Sequence, residues 1–126
     1  MKKANTIKIS LIGDIFPGEL AYTINYGIRS QFNSHKGTPW VNSIKEIIRD
    51  NDIVIGNLES PLIDKVDTLK KTFFGNPSFA DFLKDCGINV LNIANNHILE
   101  HGVLGFNSTI DALDKAELDV VGYIEH

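Results

Sequence analysis

A single cysteine, Cys86, stands among the 126 residues, so no disulfide can form within the chain and the redox compartment stays undetermined. Cys86 precedes Gly87 at an expected helix end and reads as a small buried hydrophobe. Long apolar runs are missing as well. Nothing approaches the roughly 18 consecutive apolar residues of a membrane span. Lys2 and Lys3 open the chain, but Lys8 and Asp14 interrupt the apolar residues after them, so there is no apolar core for a secretion signal. A cytoplasmic place is the default expectation, with a membrane-associated complex as the alternative. Basic clusters are also scarce. The net charge is −4, and Lys70-Lys71 is too small a group to track phosphates, which excludes a nucleic-acid partner. G-x-G-x-x-G, a Walker loop and a G-x-S-x-G elbow are all missing.

What is present is an ordinary globular composition, 43% apolar, in a length that allows one domain with a real core. Ile7, Ile9 and Leu11 mark a first strand over 6–12, expected to be largely buried. A short helix is expected over 19–29 and a loop over 30–39. Val41, Ile44, Ile47 and Ile48 fall at helical spacing, which predicts an amphipathic helix over 41–49. Residues 52–56 read as the second strand. Pro61 ends it, 60–72 reads as a surface excursion, and Phe73-Phe74 as a short edge strand. Pro77 suits a helix start, with Phe79, Phe82 and Leu83 on one face. A third strand is expected over 88–94. Next come a helix over 103–116, with Leu104, Ile110 and Leu113 inward, and a fourth strand over 118–124. Strands alternating with helices predict an α/β fold with a mainly parallel sheet.

Three of these strands end in polar groups. The first runs into Gly13-Asp14, the second into Gly56-Asn57-Leu58-Glu59, and the third into Asn95-Asn96-His97. Open parallel sheets keep their sites at the C-terminal strand ends. Asp14 offers a hard oxygen ligand on a rigid strand, although a turn aspartate would look the same. Asn57 and Glu59 share a face if the backbone stays extended, although a loop pair bonded to backbone would also fit. Asn95-Asn96-His97 is the strongest signal. Amides at the end of a buried strand need their hydrogen bonds met, and an imidazole beside them can ligate a metal or move a proton. His97 to His101 also spells H-x-x-E-H, but that zinc pattern needs a continuous helix, and here it comes after a strand and meets Gly102. Glu100 and His101 read instead as loop residues supporting His97. His35, Trp40 and His126 join no constellation.

The segments Ile9 to Gly18, Gly56 to Pro61 and Asn92 to Gly102 resemble the successive motifs of the CapA family of poly-γ-glutamate capsule biosynthesis proteins, in the metallophosphatase-like superfamily. The resemblance implies a four-layer α/β/β/α fold of which residues 1–126 hold the first half, as a single C-terminally truncated domain. It implies Asp14, Glu59 and Asn96 as ligands of a divalent metal, with Mg²⁺, Mn²⁺ or Ca²⁺ suiting oxygen donors better than Zn²⁺. It also implies His97 as the catalytic group and Asn57 and Asn95 as substrate-binding residues. Two positions depart from the superfamily: Phe16 stands where it has a histidine, and Asn57 where it has an aspartate. The implied function is metal-dependent hydrolysis or transfer in capsule synthesis, acting on an acidic polymer or a small molecule. The alternative is a non-catalytic component that holds the polymer or assists export. The fourth strand, last before the chain ends at His126, is expected to need cover, leaving the isolated chain prone to self-association.

Overall fold

The computed structural model describes residues 6–35, 38–64 and 72–123. Along the chain lie β1 (Ile9–Ile15), α1 (Ile28–His35), α2 (Thr38–Ile48), β2 (Ile53–Leu58), α3 (Phe79–Cys86), β3 (Val90–Asn92), α4 (Gly102–Lys115) and β4 (Asp119–Val121). The strands form one sheet in the order β1-β2-β3-β4, every pair parallel. The expected α/β class and parallel sheet are therefore present.

Sequential parallel order has a geometric consequence. Right-handed crossovers between neighbours carry all the connecting helices to the same face of the sheet. Val54, Leu58 and Leu91 point to that face and are buried against Phe79, Phe82, Leu83, Cys86 and Leu113 from the helices. Ile9, Leu11 and Val121 alternate to the other face and stay exposed. Two layers are visible, one of helices and one of strands.

Several expectations need correction. β1 starts at Ile9 and runs through Ile15, and it is not largely buried: Leu11 is 78% exposed, because β1 is an edge strand with one bare face. Of the expected helix over 19–29 only Ile28 and Arg29 are helical, at the start of α1, which continues into the expected loop as far as His35, while residues 21–27 form turns and bends. Its polar sequence hides one anchor, Phe32, which is buried against Phe79 and Phe82. Helix α2 begins at Thr38 and buries Ile48, whereas Ile47 is exposed. Ser60, Pro61 and Leu62 are buried rather than part of a surface excursion. Phe73-Phe74 is no strand: Phe73 has φ +55°, outside extended backbone, and the bridge there joins Leu62 to Gly75. In α4, Leu104 faces solvent, and Gly105, Thr109, Ala112 and Leu113 face inward. β3 and β4 are three residues each, shorter than expected. Residues 65–71, with Lys70-Lys71, and 124–126, with Ile124 and His126, lie outside the described residues.

Cys86 is fully buried, as expected, and burial pushes its thiol up to about 11.

Candidate functional site

The polar strand ends meet at one edge because the sheet register brings them there. In β1 the pairing with β2 runs Leu11 to Ile55 and then Asp14 to Asn57, so β1 carries one extra residue between these rungs. A bulge of this kind re-aims the next side chain along the strand. Here it sets Asp14, in place of Gly13, beside Asn57. On the next strand Asn57 pairs with Asn92. Parallel partners in register share a face, so Asp14, Asn57 and Asn92 project from the helix-free side.

Hydrogen bonds then join the row. The Asn57 amide nitrogen donates to Asp14 Oδ1 at 2.9 Å and to Glu59 Oε2. Its oxygen accepts from Asn92 Nδ2 at 2.8 Å and from Asn95 Nδ2 at 3.2 Å. Asn95 is itself held by backbone. Its Nδ2 donates to the Leu58 carbonyl at 2.8 Å, and its Oδ1 accepts from the His97 and Ile98 N–H groups, both at 3.0 Å. That pair of bonds caps the turns from 96 to 101 ahead of α4.

His97 stands over this row. Its Nδ1 lies 3.0 Å from Glu100 Oε1, and its Nε2 lies 3.0 Å from Asn96 Nδ2 and 3.9 Å from Glu59 Oε1. A carboxylate only accepts, so Nδ1 donates to Glu100, and in the neutral ring Nε2 is then the acceptor facing Asn96. Phe73 stacks on the imidazole, with ring centroids 4.4 Å apart and planes 15° apart, and Phe16 packs edge-on against Phe73 at 5.4 Å. The aromatic at position 16 thus builds the wall behind His97. His101 does not face the same centre: its Nε2 donates to the Thr72 carbonyl at 2.8 Å, while Phe74 packs edge-on against its ring. His97 and His101 sit in turns, not on one helix, so the H-x-x-E-H spelling has no zinc-site geometry.

Behind the wall lies a residue the sequence did not single out. Glu19 is fully buried and ion-paired to Arg29 at 2.6 Å. Its carboxylate accepts from the N–H groups of Asn25, Gly27 and Ser30, which satisfies donors at the start of α1 from a distance. Burial pushes the Glu19 carboxyl up, but hydrogen bonding from Ser30 and Asn25 and the charge of Arg29 outweigh it, so the group lies below its ordinary value. The Glu19 carbonyl accepts from Phe73 N, and the Arg29 guanidinium lies 3.9 Å over the Phe74 ring. Glu19 and Arg29 thereby fix the segment that carries Phe73.

Of the six residues expected at the site, Asp14, Asn57, Glu59 and Asn95 form one bonded group, and Asn96 and His97 form a pair beside it. The donors expected for a divalent cation do not fit one as they stand. A donor amide, that of Asn57, lies between the two carboxylates, and the Asn96 amide faces His97. Among the described residues no group of three His, Cys, Asp or Glu side chains is arranged to hold a metal. Sequence reasoning misses Asn92 and Phe73. Asn92 carries a signal, an amide inside an apolar strand. Phe73 carries none, because its left-handed backbone is invisible in sequence.

A profile of the family described as "Bacterial capsule synthesis protein PGA_cap" matches residues 8–126. The chain is 30% identical over 127 residues to the PGA biosynthesis protein CapA of Bacillus subtilis (strain 168), covering 94% of this chain and 30% of that protein. It is 29% identical over 123 residues to the capsule biosynthesis protein CapA of Bacillus anthracis, covering 92% and 28%. An uncharacterized protein of Sinorhizobium fredii, y4sH, is 30% identical over 96 residues, covering 70% of this chain and 20% of that protein. The chain therefore spans less than a third of the length of these curated relatives.

Proposed function

Because the chain belongs to the PGA_cap family of bacterial capsule synthesis proteins, we propose that it acts in making or attaching a poly-γ-glutamate capsule, with His97 as the proton-transfer group at an acyl centre. The names of its Bacillus relatives support the first part. The observation that carries the second is the Glu100–His97 pair, with Nδ1 against a carboxylate and Nε2 turned toward the strand ends. In hydrolysis or transfer of a γ-amide, Nε2 takes the proton of the attacking water or amine as the new C–O or C–N bond forms. Glu100 stabilises the imidazolium through Nδ1–H. The same proton then passes to the leaving amine as its C–N bond breaks, which returns His97 to its neutral state. A cytoplasmic or membrane-associated capsule-synthesis complex is the setting this reading implies.

Asp14, Glu59 and Glu100 make the approach to His97 acidic. A polyanionic substrate is repelled there unless counter-ions screen it, so turnover should rise with salt at low ionic strength. The test uses the full-length protein, with polymer release or transfer and polymer binding measured side by side. His97→Gln should lower turnover by about 10²–10⁴-fold and leave binding unchanged. Equal turnover in His97→Gln and the parent would remove His97 from the chemistry and favour the binding role.

A further inference from the structure

The Asn57 amide could be oriented two ways, and its neighbours decide between them. Asn95 is the reference. Its Nδ2 meets a backbone carbonyl, Leu58 O, and its Oδ1 meets two backbone N–H groups, His97 and Ile98. Backbone groups have fixed polarity, so Asn95 cannot be turned over without breaking three bonds. Asn95 Nδ2 also points at Asn57, 3.2 Å away, so the Asn57 atom it meets must be the oxygen. The Asn57 NH₂ group is then left facing Asp14 Oδ1 and Glu59 Oε2. Turning Asn57 over would set NH₂ against NH₂ at Asn95 and oxygen against two carboxylates.

We propose that Asn57 fills the place of a cation between Asp14 and Glu59, locked there as a donor by Asn95, and that this one amide decides whether the strand-end pair takes a divalent metal. Two carboxylates brought to one point need positive charge or donated hydrogens between them. Asn57 supplies two N–H groups, one to each. A carboxylate at the same position would supply none. Asn57→Asp would keep the bonds from Asn92 and Asn95 on one oxygen and turn the other toward Asp14 and Glu59. Three oxygens would then converge, a set that suits a hard divalent ion. The inference rests on the amide network alone and is independent of the role given to His97.

Calorimetric titration with MnCl₂ alone, on the full-length protein, tests it. Binding at this pair is defined as the part abolished by Asp14→Ala, so sites elsewhere do not enter. Any Asp14-dependent binding of Mn²⁺ should be at least about tenfold tighter in Asn57→Asp than in the parent. Asn57→Asp should also melt at a lower temperature without metal and recover on adding it. Asp14-dependent binding in the parent as tight as in Asn57→Asp would overturn the proposal, and so would a folded Asn57→Asp that gains none. A second measurement needs no variant to fold. The side-chain amide resonances of Asn57 in the parent should be slow to exchange with solvent and unmoved by excess MgCl₂. A Mg²⁺-dependent displacement of those resonances would refute the lock.

Discussion

Replacing Glu19 by Ala should be among the most damaging single changes outside the strand ends. The carboxylate is fully buried and takes four donors: Arg29 Nη2 and the N–H groups of Asn25, Gly27 and Ser30. Its removal leaves a guanidinium that is only 13% exposed without its counter-charge, a loss worth about 3–5 kcal/mol. That is a large share of the roughly 5–15 kcal/mol by which domains are stable. The two partners are not equivalent. In Arg29→Met the carboxylate keeps its three backbone donors, and the loss is nearer the ~1.5–3 kcal/mol of one charged hydrogen bond. Urea unfolding tracked by Trp40 fluorescence reads both, since Trp40 packs edge-on against the buried Phe82. The pH dependence comes from the sign of the shift. The folded Glu19 carboxyl lies below its ordinary value. Its contribution is therefore complete above about pH 4.3 and lost as the pH falls through the folded value. Glu19→Gln should flatten that acid limb. If Arg29→Met costs as much as Glu19→Ala, or if Glu19→Ala costs under about 1 kcal/mol, the account of Glu19 as the hub of this segment is wrong.

Three further outcomes are expected. Gly122→Ala should destabilise by about 2–4 kcal/mol in urea unfolding, because φ is +105° and a Cβ would lie 2.7 Å from the Ala94 backbone nitrogen; a change below about 0.5 kcal/mol would contradict this. Thr109→Val should cost about 1–3 kcal/mol by the same assay, since the buried hydroxyl accepts from Leu62 N at 2.8 Å and valine leaves that N–H orphaned; Thr109→Ser should recover most of it. Cys86 should resist iodoacetamide at neutral pH until urea unfolds the chain, given full burial and a thiol pushed up to about 11; labelling at the rate of a free thiol under native conditions would refute the buried placement.

The strand ends are legible in the sequence because an apolar run that stops at Asp, Asn or His announces both a buried strand and a polar tip. Asp14, Asn57, Glu59 and Asn95 meet in the structure for that reason. Faces are harder to read. Leu11 and Leu104 are apolar and read as inward, yet which face of an element is covered depends on sheet order, and periodicity is silent on that. Helix α1 escapes a reading by pattern because its support is remote: Glu19 accepts the Ser30 N–H of its first turn from across a run of turns, and of its residues only Phe32 is buried. The bulge in β1 is invisible too. It is a property of the pairing with β2, and without it Gly13, not Asp14, would lie beside Asn57.

The order β1-β2-β3-β4 bears on how the chain assembles. Among the described residues β2, β3 and β4 each pair with the strand made just before them. Loops to be closed span one crossover at a time, which keeps the entropic barrier of each step low for a parallel sheet. Such a sheet can grow as the polypeptide emerges, with the β1–β2 pair as template and β4 as the growing edge. Pulse-labelled hydrogen exchange during refolding would then protect Val54 and Ile55 before Val120. In this topology the direction of translation and the direction of sheet growth coincide.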